Sequence, residues 1–386
     1  MSSLTAISGA RIFDGHDWSD NAALLLEFGE VVAIVPAADI PSHSERVHFD
    51  GGIVVPGFID LQVNGGGGAL LNEVPTLDGI RTICTAHARF GTTALLPTLI
   101  TDTPAISDQA IAAGIEATNA RTPGFLGLHL EGPHLSLARK GAHDPALIRP
   151  VDQADIARFA AARAALPNLL LTFAAETVPP AQIAEIARSG AIISIGHSDA
   201  SMTTVNAAAA AGATMATHLF NAMSQLGNRE PGVVGAVLQN GGMFAGLIAD
   251  GIHVDPATIA IALRAKTGPG RIFLVTDAMS LTGSDASSLM LNGREVVRAD
   301  GALRLADGTL AGADLTMIDA VLYMHRVIDL SFEEAIRMAS LYPAQAMRIE
   351  ATHGHLRPGA VASFVHLSEH YAVRSTWIDG LEAFRA

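Results

Sequence analysis

Along the middle of the chain, short apolar runs rich in β-branched residues alternate with longer alanine-rich stretches. Eight such runs lie at 53–61, 92–96, 125–131, 169–174, 191–197, 214–218, 244–250 and 272–277. They are too short for helices, and their near-continuous hydrophobicity predicts strands covered on both faces. The intervening segments 76–90, 104–120, 179–189, 201–211 and 255–266 read as helices. Pro179 and Pro180 open one of them and Gly190 follows it, the usual punctuation of a helix. Eight strands alternating with helices predict an α/β fold with a closed, parallel (β/α)8 TIM-like barrel over 53–354. A doubly wound open sheet shares this alternation, but no dinucleotide-binding glycine fingerprint opens the first unit.

The flanks have another texture. Positions 10–15, 23–27 and 31–35 at one end, and 361–367 and 377–380 at the other, read as short strands joined by turns. Neither 1–52 nor 355–386 is large enough to bury a comfortable core alone. Both termini are therefore expected to meet in one small β-sandwich domain beside the barrel.

Of the 386 residues, 49% are hydrophobic and only 16% charged, which fits a large buried core and excludes a disordered chain. The first residues lack a basic segment followed by an apolar one, and no apolar run approaches the roughly 18 residues that cross a bilayer. A cytoplasmic protein with no membrane partner is the expectation. The one cysteine, Cys84, excludes an internal disulfide and sits in an apolar helical stretch, where a small core residue is expected rather than a catalytic thiol. The net charge of −14, with no basic stripe, argues against nucleic acid as a partner. It also repels anionic small molecules at long range, so a phosphorylated ligand would need a local cationic site.

In a β/α barrel the reactive side chains sit at the C-terminal ends of the strands. The third strand ends at Glu131, the fifth at His197, the sixth at His218 and the eighth at Asp277. One carboxylate and two imidazoles make a three-ligand set that leaves positions open on a divalent metal, as hydrolysis requires. Asp277 would stand beside the activated water as a base. A single histidine after a strand is more often a packing residue; four such residues at equivalent places in one barrel favour a metal site. The first strand ends in Gln62 and Asn64 where two-metal hydrolases of this kind often carry two histidines, and no lysine ends the fourth, where Glu176 lies nearby. One tightly bound metal is expected, with Gln62 near it and Glu176 either supporting its ligands or structural, the structural role being favoured. Zinc is the first choice, and a Glu-His-His set also accepts iron(II), cobalt or manganese.

The run from Asn64 to Gly68 lacks the Gly-Lys-Ser/Thr ending of a phosphate loop and reads as a flexible loop at the barrel mouth. Candidates for holding phosphate are Arg229, His253 and the pair Asn221-Ala222, all in loops after the sixth and seventh strands.

The runs Pro56–Asp60, Leu130–Pro133, Lys140–His143, Gly196–Ser198, Thr217–Met223, Arg229–Gly232, Ala249–His253 and Val275–Ala278, taken in order, resemble the N-acetylglucosamine-6-phosphate deacetylases of the amidohydrolase superfamily. The resemblance implies a metal held by Glu131, His197 and His218, with Asp277 as general base and then acid. It implies that His143 orients or polarises the acetyl carbonyl, and that Ala142, Asn221, Ala222 and His253 contact sugar and phosphate. It implies a substrate-covering loop at Leu310, Ala311, Gly312 and Ala313, and a homodimer in which Arg229 reaches the neighbouring subunit's site. Gln62 resembles the single-metal members. A departure is Ala362-Ser363-Phe364, where relatives often have Ala-Asp, away from the chemistry. The activity so implied is hydrolysis of the acetamide of N-acetyl-D-glucosamine 6-phosphate in amino-sugar catabolism. The galactosamine epimer or another N-acyl substrate stands as the alternative, and a non-catalytic paralogue is disfavoured by the presence of all four key residues.

Overall fold

The computed structural model describes residues 4–291, 293–299 and 301–386. Eight parallel strands follow one another in chain order: β1 (Phe58–Val63), β2 (Thr92–Ile100), β3 (Leu128–Glu131), β4 (Leu169–Phe173), β5 (Ile192–Ile195), β6 (Ala213–Ala216), β7 (Phe244–Leu247) and β8 (Ile272–Leu274). Nearly every residue in them is buried, because helices cover one face and barrel-interior side chains fill the other. The ring closes just beyond β8. Val63 and Ala278 form a parallel bridge, Asp277 N–H donates to the Gln62 carbonyl at 3.0 Å, and Asn64 N–H donates to the Ala278 carbonyl at 2.8 Å. This seam decides what surrounds Asp277.

The helical segments form where they are expected, at Leu77–Ala88, Pro104–Asn119, Pro180–Arg188, Met202–Ala210 and Pro256–Ala265. Thr76, Thr103, Ser201 and Asp255 each accept a first-turn N–H on the side chain, a cap that contributes about 1 kcal/mol. Three further helices, Met317–Arg326, Phe332–Ala339 and Leu341–Met347, pack against β8, and the last two of them also reach β1, so the seam is buttressed from outside. Cys84 is buried in the first helix, where burial pushes its thiol up to about 12 and leaves it inert. Among the described residues, no helix is long and apolar enough to cross a membrane.

The termini build two facing sheets. Thr5–Ser8, Ala22–Glu27, Glu30–Pro36 and Glu45–His48 form one. The other runs from Leu381–Arg385 through Val373–Ile378, Phe364–Leu367 and Ile53–Pro56 to Arg11–Phe13 and Trp18–Ser19. Their inner faces share a core of Ile7, Ile12, Leu24, Leu26, Val54, Phe364 and Trp377. Ile53–Pro56, expected at the start of the first barrel strand, thus belongs to this sandwich. Gly57 separates it from β1; a Cβ there would lie 2.1 Å from Thr93 Oγ1, so only glycine lets the two strands diverge at this point.

Three other differences bear on the site. β2 continues four residues past the expected end, through Pro97, which is tolerated because the β1–β2 register shifts between Leu95 and Pro97. The Asn64–Gly68 run is not a flexible loop. Gly65–Gly66 pairs with Ala69–Leu70, and Cβ atoms on them would meet the Ala69 carbonyl at 2.3 Å and the His87 ring at 2.8 Å. Beyond β8, an unanticipated three-stranded antiparallel sheet of Ser288–Leu291, Arg294–Ala299 and Ala302–Leu305 folds over the barrel mouth. Its Leu289, Leu291, Val296 and Leu303 pack on Leu70, Ile100 and Met279.

Candidate active site

Glu131 is the last residue of β3, and His197 and His218 each follow their strands by two residues. The two histidines and Asp277 all take left-handed backbone, with φ of 47°, 28° and 51°. A non-glycine residue there costs of order 1 kcal/mol or more, and such strain gathers where a side chain must be aimed. Here it turns each side chain inward from its strand end. Glu131 Oε1 lies 3.2 Å from His197 Nε2 and 3.2 Å from His218 Nε2, and the two nitrogens are 3.1 Å apart. All three side chains are buried.

Three donor atoms so close, each able to present a lone pair, are what a small cation requires. Four-coordinate zinc at 2.0–2.1 Å from nitrogen and oxygen sets donor–donor edges of roughly 3.3 Å. His197 Nδ1 sits 2.9 Å from the Arg139 carbonyl, which can only accept, so the proton is on Nδ1 and Nε2 is free to ligate. Ligand atoms of Glu131, His143 and His197 also lie within 4.8 Å of one another, so distance alone would admit His143 in place of His218. Its hydrogen bonds argue otherwise. His143 Nδ1 accepts the Thr101 N–H at 3.3 Å and lies 2.7 Å from the Thr101 hydroxyl, which leaves the proton on Nε2. Burial, and then the neighbouring His197, hold its pKa well below the ordinary histidine value. His143 is thus a neutral imidazole with an N–H to offer, while His197 presents a lone pair at Nε2.

Asp277 stands at the barrel seam. Its Oδ1 accepts from Asn64 Nδ2 at 2.7 Å and from Gln62 Nε2 at 3.2 Å. The Gln62 amide also points its N–H groups at Glu131 Oε2, 3.3 Å away, as an amide between two carboxylates must. Burial raises the Asp277 carboxyl, and the Glu131 charge raises it further. Burial would also raise Glu131, but the His197 and His218 rings set against its Oε1 outweigh it and hold Glu131 well below the usual carboxylate range. Asp60, beneath the seam, is raised to about 7 by burial, although it accepts the Thr276 hydroxyl at 2.5 Å. Under the converging side chains lies a polar floor: His129 bonds Thr98 and Thr172, and Thr172 bonds Thr217, at 2.7–3.2 Å. Burial lowers His129 to about 4, so this floor is neutral.

Glu131, His143, His197, His218 and Asp277 line one cavity of about 350 Å³, with Ala142, Asn221, Ala222, His253, Leu310, Ala311 and Gly312 among its walls. His253 Nδ1 is held by Asp250 Oδ2 at 2.6 Å, so its other nitrogen is the one left for a ligand. A larger cleft of about 810 Å³ lies between sandwich and barrel, lined by Arg11, Trp18 and Glu333, and holds none of the converging groups.

One expected contact falls elsewhere. Ala313 lies behind the cavity: it bridges Ala278, and its N–H donates to the Asp277 carbonyl at 2.8 Å, so it clamps the backbone of Asp277 rather than facing a ligand. Arg229 is exposed and lies outside this chain's cavity. Glu176 accepts the Ser198 hydroxyl at 2.6 Å and the Asp199 N–H at 2.7 Å, fixing the loop that follows His197.

Several participants escaped the sequence reading. Thr101, which sets the His143 tautomer, follows β2 and was hidden by ending that strand too early. Asn64 was weighed only as a metal ligand, not as a donor to Asp277. Arg139 lines the cavity, with its side chain on Asp199 at 2.8 Å, but nothing in its local sequence marks it.

Residues 53–382 match the amidohydrolase family. The chain belongs to that family. Among its amidohydrolase relatives, an N-acetylgalactosamine-6-phosphate deacetylase of Shewanella sp. (strain ANA-3) is 39% identical, over 98% of this chain and 95% of the relative. An N-acetylglucosamine-6-phosphate deacetylase of Haemophilus influenzae is 31% identical, over 97% of this chain and 98% of the relative. The crystal structure of N-acetylglucosamine-6-phosphate deacetylase from Pasteurella multocida superposes with a TM-score of 0.94 at 32% identity, over 98% of this chain and 99% of that one.

Proposed function

We propose that this amidohydrolase is a metal-dependent deacetylase that converts N-acetyl-D-glucosamine 6-phosphate to D-glucosamine 6-phosphate and acetate. The observation that carries this reading is the convergence of Glu131 Oε1, His197 Nε2 and His218 Nε2 at 3.1–3.2 Å in the cavity that also holds Asp277 and the His143 N–H. One divalent cation per subunit, zinc by preference, would be held by those three atoms and supplies a water acidic enough to be hydroxide at neutral pH. The chain's own residues do the rest. His143 Nε2–H donates to the acetamide oxygen and strengthens that bond as the oxygen becomes an oxyanion. Asp277, oriented by Asn64 and Gln62, takes the proton from the attacking water and returns it to the leaving nitrogen, so the amine departs neutral.

Asn221, the Ala142 and Ala222 backbones and His253 bind sugar and phosphate on this reading, under cover of Leu310–Gly312. Arg229, exposed outside its own cavity, completes the site of a second copy in a homodimer, and so supplies the cation that an acidic chain needs for an anionic substrate. The enzyme works in the cytoplasm, where a phosphorylated sugar is retained. The barrel, which begins at Phe58, carries the chemistry, and the sandwich built from the two termini together with Ile53–Pro56 braces it.

A second reading, in which the substrate is N-acetyl-D-galactosamine 6-phosphate, is favoured by the 39% identity to the Shewanella relative of that name. Acetate release from both epimers, with and without the 6-phosphate, decides between them. If the unphosphorylated sugars turn over as well as the phosphorylated ones, both readings fail in favour of another N-acyl substrate.

A further inference from the structure

The cavity wall is chemically mixed. Asn221, His253 and Arg139 contribute polar groups to it. Ile100, Met279, Leu291 and Ala311 also line it, and all four belong to the buried apolar cluster that joins the three-stranded sheet to the barrel. The apolar side chains flank the groups that handle the amide. Ile100 directly precedes Thr101, whose N–H and hydroxyl fix His143. Met279 follows Asp277 by two residues.

An N-acetylhexosamine 6-phosphate carries hydroxyls and a phosphate everywhere except at the acetyl methyl. That methyl is one bond from the carbonyl carbon, which must lie between His143 and Asp277. Resting on the function proposed above, we propose that Ile100, Met279, Leu291 and Ala311 form an acyl pocket sized for a two-carbon group, with Met279 setting its depth.

The wall is braced. A Cβ on Gly312 would lie 2.6 Å from Met279 Cγ and 2.7 Å from its Sδ, so the thioether is pressed against the covering loop with no slack. Arg294 Nη2 donates to the Ala142 carbonyl at 2.5 Å, tying the sheet that carries Leu291 to the backbone beside His143. A longer acyl chain must displace Met279, and in a packed wall that movement is not free.

The test is kcat/KM for the N-formyl, N-acetyl, N-propionyl and N-butyryl 6-phosphates of glucosamine and galactosamine, on full-length enzyme of measured metal content. Wild type should peak at acetyl and fall by about 10- to 200-fold per added methylene. Met279→Ala should shift the optimum to propionyl or butyryl, raising their rate relative to acetyl at least tenfold. Ala311→Val narrows the pocket and should favour formyl over acetyl by a similar factor, which keeps the test sharp if Met279→Ala folds poorly. Variants that retain metal and acetyl turnover but keep the wild-type acyl profile overturn the acyl pocket alone. A wild type that turns over none of these phosphates overturns the underlying function as well.

Discussion

Asp277→Asn separates proton transfer from everything else this residue does. Asp277 Oδ1 accepts two side-chain N–H groups, from Asn64 and Gln62, and an asparagine Oδ1 can keep both. Asparagine also tolerates the φ of 51° at this position at least as well as aspartate does. Folding and the Glu131–His197–His218 cluster should therefore survive. Because burial and the Glu131 charge raise the Asp277 carboxyl, the folded state disfavours its ionised form, and a neutral amide relieves that. The thermal midpoint should be equal to or above that of wild type. Chemistry should not survive. General acid–base catalysis contributes about 10²–10⁴-fold, and here one carboxylate serves two successive transfers, so the upper part of that range applies. A loss of about 10³–10⁴ in kcat corresponds to roughly 4–5.5 kcal/mol of transition-state stabilisation. It should appear equally in kcat/KM, because binding is untouched. The assay is steady-state acetate release, with elemental analysis and a thermal melt on the same sample. A kcat within about tenfold of wild type at full metal occupancy would refute the acid–base role. Loss of the metal would instead make Asp277 a ligand.

The remaining expectations are narrower. His143→Ala should lower kcat by about 10²–10³ with metal content unchanged, whereas His218→Ala should lose the metal; the reverse pattern in elemental analysis would exchange their roles. Thr101→Val removes the hydroxyl 2.7 Å from His143 Nδ1 and should lower kcat by about tenfold without changing metal content; an unaltered rate would detach Thr101 from the mechanism. Dialysis against a chelator should abolish activity and lower the Tm, and added Zn²⁺ should restore both; full activity without metal refutes the cation site. Asp155→Asn should cost about 1–2 kcal/mol near pH 7 in urea unfolding, allowing for the partial exposure of its partner. Burial raises Asp155, but hydrogen bonds from Arg149 at 2.5 and 2.6 Å pull it down to about 2. Its folded-state pKa is thus below the unfolded value, so its contribution is complete above about pH 4 and fades as pH falls toward 2. A wild-type-to-variant gap that does not narrow over that interval refutes the assignment.

The barrel and its four strand-end residues were legible because both follow from local rules. Buried parallel strands are short apolar runs, and barrel chemistry gathers at their C-terminal ends. What stayed hidden depended on partners distant in sequence. The tautomer of His197 is set by the Arg139 carbonyl and that of His143 by Thr101, contacts across 58 and 42 positions. Pro97 concealed the length of β2 because a bulge that admits proline is a property of two strands, not one. The glycines at 65 and 66 look like freedom in one dimension and prove to be close packing in three. The sheet over the mouth lacked a signal because its first two strands bury only Leu289, Leu291 and Val296, a sparser pattern than that of a barrel strand.

Closing the ring and aiming the Asp277 carboxylate are one structural event. The last strand is regular only to Leu274, and the chain then crosses to β1 by hydrogen bonds from Thr276 to Asp60 and from Asp277 to the Gln62 carbonyl. The Ala313 N–H clamps the Asp277 carbonyl from the other side. A regular eighth strand would alternate its side chains between core and helices and could not hold Asp277 in a left-handed turn. The short, irregular closure is what turns its carboxylate toward Asn64 and the Glu131–His197–His218 cluster. Its strain is borne by the helices after residue 316, which pack on β8 and β1 from outside. It follows that substitutions loosening those helices, far from the cavity, should lower kcat before they unfold the barrel.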